Sequence, residues 1–140
     1  MKIEFNYEID FKLVNESKYT DWINKLIQSQ DSYLGNLSYI FCDDAYLLDI
    51  NLQYLNHDTL TDIITFNYSD ENTISGDIFI SIERVKDNAK IFKVDFKEEL
   101  LRVMSHGVLH LLGFNDKTES DKQLMRSKEN EMMRLFHVEQ

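Results

Sequence analysis

Residues 2–9 alternate strictly, with Ile3, Phe5, Tyr7 and Ile9 set against Lys2, Glu4, Asn6 and Glu8. That period of two predicts a strand with one buried face. Tyr19, Trp22, Ile23, Leu26 and Ile27 then recur at helical spacing, behind Asn15 or Ser17 as the N-cap. Gly35-Asn36 is expected to break the chain before a second strand, Leu37 to Cys42. Asp43 or Asp44 opens a further helix, with Leu47, Leu48, Leu52 and Leu55 on its inner side, ended by Asn56-His57-Asp58. Thr61 to Tyr68, rich in β-branched and aromatic residues, reads as a third strand. A polar loop from Ser69 to Ser75 leads to a fourth, Gly76 to Ile82, arriving as its hairpin partner.

The second half is helical in period. Residues 83–92 form a short charged helix, and Asp95 with Glu98 makes a capping box for the next one. That helix runs to about Leu112 and is apolar on nearly every side, through Phe96, Leu100, Leu101, Val103, Met104, Val108, Leu111 and Leu112. Such a helix belongs in the centre of a fold. Thr118 with Asp121 starts a last amphipathic helix carrying Leu124, Met125, Met132 and Phe136. No repeat, linker or low-complexity segment interrupts the pattern, and proline is absent. Four strands interleaved with about five helices predict one α+β domain over residues 1–140, a mixed sheet with helices packed on it.

Composition changes little in that picture. A chain of 140 residues with 43% hydrophobic and 29% charged residues builds a core without disulfide staples. Its one cysteine, Cys42, sits in an apolar run and reads as a core residue. No apolar stretch is long enough for a membrane span, and Met1-Lys2-Ile3-Glu4-Phe5 lacks the features of a signal peptide. The expectation is a cytoplasmic protein with no membrane partner.

Charge matters more. The net charge is −10, unfavourable for a phosphate-rich partner. Between Lys25 and Arg84, however, there are ten acids and no lysine or arginine, and the rest of the chain is balanced. The excess reads as one acidic, solvated region. A polyanion would approach from other surfaces, or through a metal.

A metal is what the central helix offers. His106 and His110 stand four apart, with Cβ atoms about 5–6 Å from one another on one helical face. Gly113 follows three residues later, where it ends the helix, and Asp116 three residues after that. The resulting H-x-x-x-H-x-x-G-x-x-D spacing matches the metzincin frame, whose third ligand lies six residues after the second. A carboxylate is an acceptable zinc donor beside two imidazoles. Asn115 is a poorer donor, and His137, near the end of the chain, is the remaining alternative. In metalloproteases the residue after the first histidine is the glutamate that serves as general base. Here it is Gly107, which is expected to leave bare space beside the metal and removes the usual route to peptide hydrolysis.

His106-Gly107-Val108-Leu109-His110-Leu111-Leu112-Gly113-Phe114 resembles the H-G-x-L-H-L-x-G-Y-D-H signature of the YbeY family of bacterial endoribonucleases. A second block of that family, L-N-x-x-Y-R-x-K-D-x-x-T-D-V-L-S-F-P, is similar to Ile50 through Asn67. Gly76-Asp77-Ile78 matches its next strand. The resemblance implies a zinc-dependent endoribonuclease acting on single-stranded RNA, with roles in maturation of the small-subunit ribosomal RNA 3′ end and in ribosome quality control. Its partners would be precursor ribosomal RNA and the small subunit. Carried across, the ligands of one Zn2+ ion are His106, His110 and Asp116, which stands where the family has its third histidine. The family's arginine after the tyrosine is Leu55 here, and its lysine is His57. Arginine is a natural phosphate holder, so His57 and Arg102, four residues before His106, are the candidates to contact phosphate in its place. Two rival readings remain: a ribosome assembly factor with structural zinc, and a metalloprotease, against which Gly107 argues.

Overall fold

The computed structural model describes residues 2–55 and 61–138. Ten elements run in the order β1 (Lys2–Tyr7), α1 (Glu16–Ser29), β2 (Tyr33–Cys42), α2 (Asp44–Ile50), a π-helical turn (Asn51–Leu55), β3 (Ile63–Asn67), β4 (Thr73–Ser81), α3 (Ile82–Phe92), α4 (Phe96–Leu111) and α5 (Glu119–Val138). The four strands form one mixed sheet in the order β1-β2-β4-β3. β1 and β4 both run parallel to β2, while β3 pairs antiparallel with β4 as the expected hairpin. The expected single α+β unit is what forms.

Each face of the sheet buries a different set. Leu37, Tyr39, Phe41, Ile78 and Ile80 join α1, α4 and α5 in the main core. Two long-range hydrogen bonds lock that layer: Tyr39 Oη donates to the Met104 carbonyl at 2.9 Å, and Trp22 Nε1 to the Met132 carbonyl at 2.6 Å. A smaller cluster of Cys42, Leu47 and Ile64, with Phe66 and Phe79 at its edge, packs α2 against the other face. Cys42 is fully buried, as expected, and burial, aided by the charges of Asp43, Glu8 and Asp44, pushes its thiol up to about 12.

Three expectations are corrected. Gly35-Asn36 does not interrupt the second strand, which begins at Tyr33 and carries a register shift between Leu34 and Leu37. A Cβ at Gly35 would run into Ser75 Oγ, so the missing side chain allows the crossing, and the Asn36 N–H donates to that same oxygen at 3.0 Å. Leu52 and Leu55 do not line an inner helical face; both are exposed. The π-helical turn adds a residue to its hydrogen-bonded ring and so rotates the stripe out of phase. Leu124 is likewise half exposed, leaving Met125, Met132 and Phe136 as the buried side of α5. The helix stop at Asn56-His57-Asp58 lies outside the described residues. Among the described residues, no helix is long and apolar enough to cross a membrane.

Candidate metal centre

Helix α4 is built to carry its histidines to a defined end. Asp95 accepts a hydrogen bond from the Glu98 N–H at 2.8 Å, fixing the start. At the other end the Phe114 N–H reaches the Leu109 carbonyl and the Gly113 N–H the His110 carbonyl, both at 3.0 Å. That pair of bonds is a Schellman motif, and Gly113 sits at φ 103° inside it, a conformation that favours glycine. The chain therefore turns back one residue after the helix, and Asp116 returns over the histidine face. The neighbouring Thr118 and Asp121 cap α5 reciprocally, the Asp121 N–H donating to Thr118 Oγ1 at 3.0 Å.

His106, His110 and Asp116 meet with one ligand atom each, all within 4.8 Å of one another. Asp116 Oδ2 lies 3.4 Å from His106 Nε2 and 3.3 Å from His110 Nε2. These distances are long for a charge-assisted hydrogen bond, which runs to about 2.7–2.9 Å. They match the separation between two donors on a tetrahedral zinc: bonds of about 2.0–2.1 Å span edges of about 3.3–3.4 Å. The donor set fits zinc in kind, and Asp116 fits it in its spacing to both histidines; with three members it has the ligand count of a catalytic rather than a closed structural site. Asn115 is exposed beside it, and His137 stacks its ring edge-on to Phe136 in the last turn of α5, outside the group.

The second nitrogen of His106 is held. Its Nδ1 lies 2.7 Å from Oε2 of Glu129, a buried carboxylate on α5. Glu129 Oε1 in turn accepts from Arg102 Nη1 at 3.0 Å, and Arg102 Nη2 donates to Asn130 Oδ1 at 3.1 Å. A proton on Nδ1 shared with Glu129 leaves the Nε2 lone pair directed at the metal position. Burial, the largest influence on His106, favours its neutral form. The hydrogen bond to Glu129 and the charges of Glu129, Asp116 and Asp62 outweigh it and hold the imidazole above its ordinary range. Arg102 thus reaches the site with its guanidinium engaged to α5, while His57 lies outside the described residues.

Around His106 opens a cleft of about 300 Å3 in which Asp62, Glu99, Asp116 and Glu129 face Arg102 and Arg126. Acidic groups outnumber the guanidiniums in this lining, which suits a cation. Burial raises the carboxyls of Asp62 and Glu99 above their usual range; for Glu99 the guanidiniums of Arg102 and Arg126 oppose that rise. Sequence reasoning missed Glu129, Asp62 and Glu99. Glu129 had a visible signal, a charge falling between Met125, Met132 and Phe136 on the buried side of an amphipathic helix.

Gly107 has a different reason from the one expected. It is buried, and a Cβ on it would stand 2.9 Å from Ile78 Cγ2 and 3.0 Å from Ile63 Cδ1. The position is where α4 lies against the sheet, so no bare space is left beside a metal. A glutamate there would press on Ile63 and Ile78, which argues further against the metalloprotease arrangement.

A family-wide sequence model described as Endoribonuclease YbeY matches residues 4–137. The chain belongs to the YbeY family. Curated YbeY relatives cover it almost end to end: the Endoribonuclease YbeY of Flavobacterium johnsoniae is 59% identical over 99% of both chains. That of Christiangramia forsetii is 55% identical over 99% of this chain and 97% of its own length. The solution structure of a Thermotoga maritima protein shares the fold, with a TM-score of 0.73 over 98% of this chain and 90% of that one, at 23% identity. The YbeY signature thus falls on the end of α4 and the turn after it, where His106, His110 and Asp116 converge.

Proposed function

We propose that this chain is a zinc-dependent endoribonuclease that cuts single-stranded RNA. Its substrate is precursor ribosomal RNA, including the 3′ end of the small-subunit RNA, and its work is ribosome maturation and quality control in the cytoplasm. Family membership supports the reaction class. The observation that carries the metal is the spacing of 3.3–3.4 Å from Asp116 Oδ2 to the two Nε2 atoms.

The chain's own residues divide the work. His106, His110 and Asp116 hold the ion. Glu129 fixes the tautomer and plane of His106, and Arg102 anchors Glu129, so Arg102 is a positioning residue in this scheme. The Schellman turn sets Asp116. When bound, zinc supplies a Lewis acid for a phosphodiester oxygen and lowers the pKa of water at the site.

The test is purified protein stripped of zinc and then reloaded. RNA cleavage should vanish and return, and His110→Ala should not cut. A His110→Ala protein that cleaves like the parent would overturn the assignment. A parent that takes up zinc, binds the small subunit and cuts no RNA would instead be an assembly factor. The chemistry of the new ends reads the nucleophile: a 2′,3′-cyclic phosphate indicates attack by the ribose hydroxyl, a plain phosphate attack by water.

A further inference from the structure

The cations that could meet an RNA strand at this site are few. The sheet side contributes Asp62 and Ile63 to the cleft, and no lysine or arginine occurs between Lys25 and Arg84. The position after Tyr54, arginine in the family block, is Leu55. Arg102 is engaged with Glu129 and Asn130. Helix α5 is different. Lys122 and Arg126 lie one turn apart, on one helical face, and both line a cleft of about 280 Å3 that His106 and Asp116 also line. Glu129, beneath them, already accepts from Arg102 and meets His106 Nδ1. No salt bridge holds Arg126 among the described residues, and Lys122 has only a 3.8 Å approach to the exposed Glu119. Two exposed cations therefore stand at the mouth of the metal site, Arg126 near enough to Glu99 to oppose the rise of its carboxyl but in no close ion pair.

We infer that Arg126 and Lys122 are the phosphate contacts of this enzyme, Arg126 beside the metal position and Lys122 one turn further out on the strand's path. The guanidinium fork suits two phosphodiester oxygens, and the ammonium a single point contact. The inference rests on the RNA-cleaving reading above, yet binding alone can refute it.

The experiment measures binding of a phosphorothioate-linked single-stranded RNA, which resists cleavage, to the zinc-loaded protein over a range of salt. Arg126→Gln with Lys122→Gln should weaken binding about tenfold or more. The slope of log affinity against log salt should become shallower by about 1.4, from about 0.7 for each phosphate contact on a single strand. Arg126→Lys alone should keep the slope. Zinc content and circular dichroism should match the parent, since both side chains are exposed, and with cleavable RNA the KM should rise more than the kcat falls. An unchanged affinity and slope in the double variant, with the parent binding and cutting RNA, overturns the phosphate assignment and leaves the endoribonuclease standing. A parent that binds with the expected slope but never cuts overturns the activity and leaves the phosphate contacts standing.

Discussion

Replacing Glu129 by glutamine tests whether the buried carboxylate behind His106 is part of the metal site. The side chain is 5% exposed and makes two bonds, at 2.7 Å to His106 Nδ1 and at 3.0 Å to Arg102 Nη1. Glutamine keeps the shape but has one acceptor oxygen, so one of the two donors must face an amide NH2. Losing one charge-assisted bond in a buried setting costs about 1.5–3 kcal/mol. Arg102 and His106 are each about one-fifth exposed, so water returns part of that, and about 2 kcal/mol is expected for the metal-free protein. For a chain of this length the melting temperature should fall by roughly 4–8 °C. The zinc affinity should fall further than stability explains. Groups that orient a metal-bound histidine are worth about 10–100-fold in affinity, or about 1.4–2.8 kcal/mol.

The assay is competition for zinc against a chromophoric chelator, run on parent, Glu129→Gln and Arg102→Gln. Arg102→Gln removes the anchor but keeps the carboxylate on His106, so its loss of zinc affinity should be the smaller of the two. A folded Glu129→Gln protein that holds zinc as tightly as the parent would refute the reasoning, because the ring of His106 would then be oriented by something else.

Gly107→Ala should lower stability by about 1 kcal/mol, since a gain of about 1 kcal/mol in helix propensity is outweighed by about 1–3 kcal/mol of overpacking against Ile63 and Ile78; a variant that melts above the parent would show that the helix and sheet have room there. Glu99→Gln should stabilise the metal-free protein at neutral pH and lose that advantage in acid. The carboxyl of Glu99 is raised in the fold by burial, so the parent is not penalised below the unfolded value near 4.5 and is penalised once pH exceeds the folded one; denaturant midpoints that favour the variant more in acid than at neutral pH would refute the sign. Cys42, with its thiol near 12, should react with a disulfide reagent at pH 8 only as fast as the protein unfolds, and an immediate reaction of the native protein would contradict its burial.

Much of this was legible because several independent signals agree on the same segments. In α4 the Asp95 cap, an almost unbroken apolar surface and the glycine stop all give the same helix. The two histidines could then be placed on one face from spacing alone. Gly113 was readable for the same reason, since only the turn it permits returns Asp116 over that face. The failures are of another kind. Gly35 and Gly107 stand where one backbone crosses another element closely, and sequence cannot say what lies across the gap. The π-helical turn at Asn51–Leu55 defeats a 3.6 period that is otherwise sound. Arg102 carries the right charge at the right helical offset, but its engagement depends on Glu129, which arrives from a helix 27 residues later.

Asp116 in the place of a third histidine makes sense in the company it keeps. A divalent ion held by two neutral imidazoles and one carboxylate would carry a single positive charge, weaker than three imidazoles would leave it for a phosphate. Asp62, Glu99 and Glu129 line the same cleft. Burial raises the carboxyls of Asp62 and Glu99 and so favours their neutral forms, and Glu129 is balanced by Arg102. The mouth of the site is then left to the metal position and the two α5 cations. With no lysine or arginine between Lys25 and Arg84, the attraction we propose for an RNA backbone rests on a bound metal together with Arg126 and Lys122. Both side chains line the cleft that His106 and Asp116 also line. Such an arrangement would draw RNA weakly from a distance and hold it mainly at the cleft, because the middle of the chain offers a polyanion acids and no lysine or arginine.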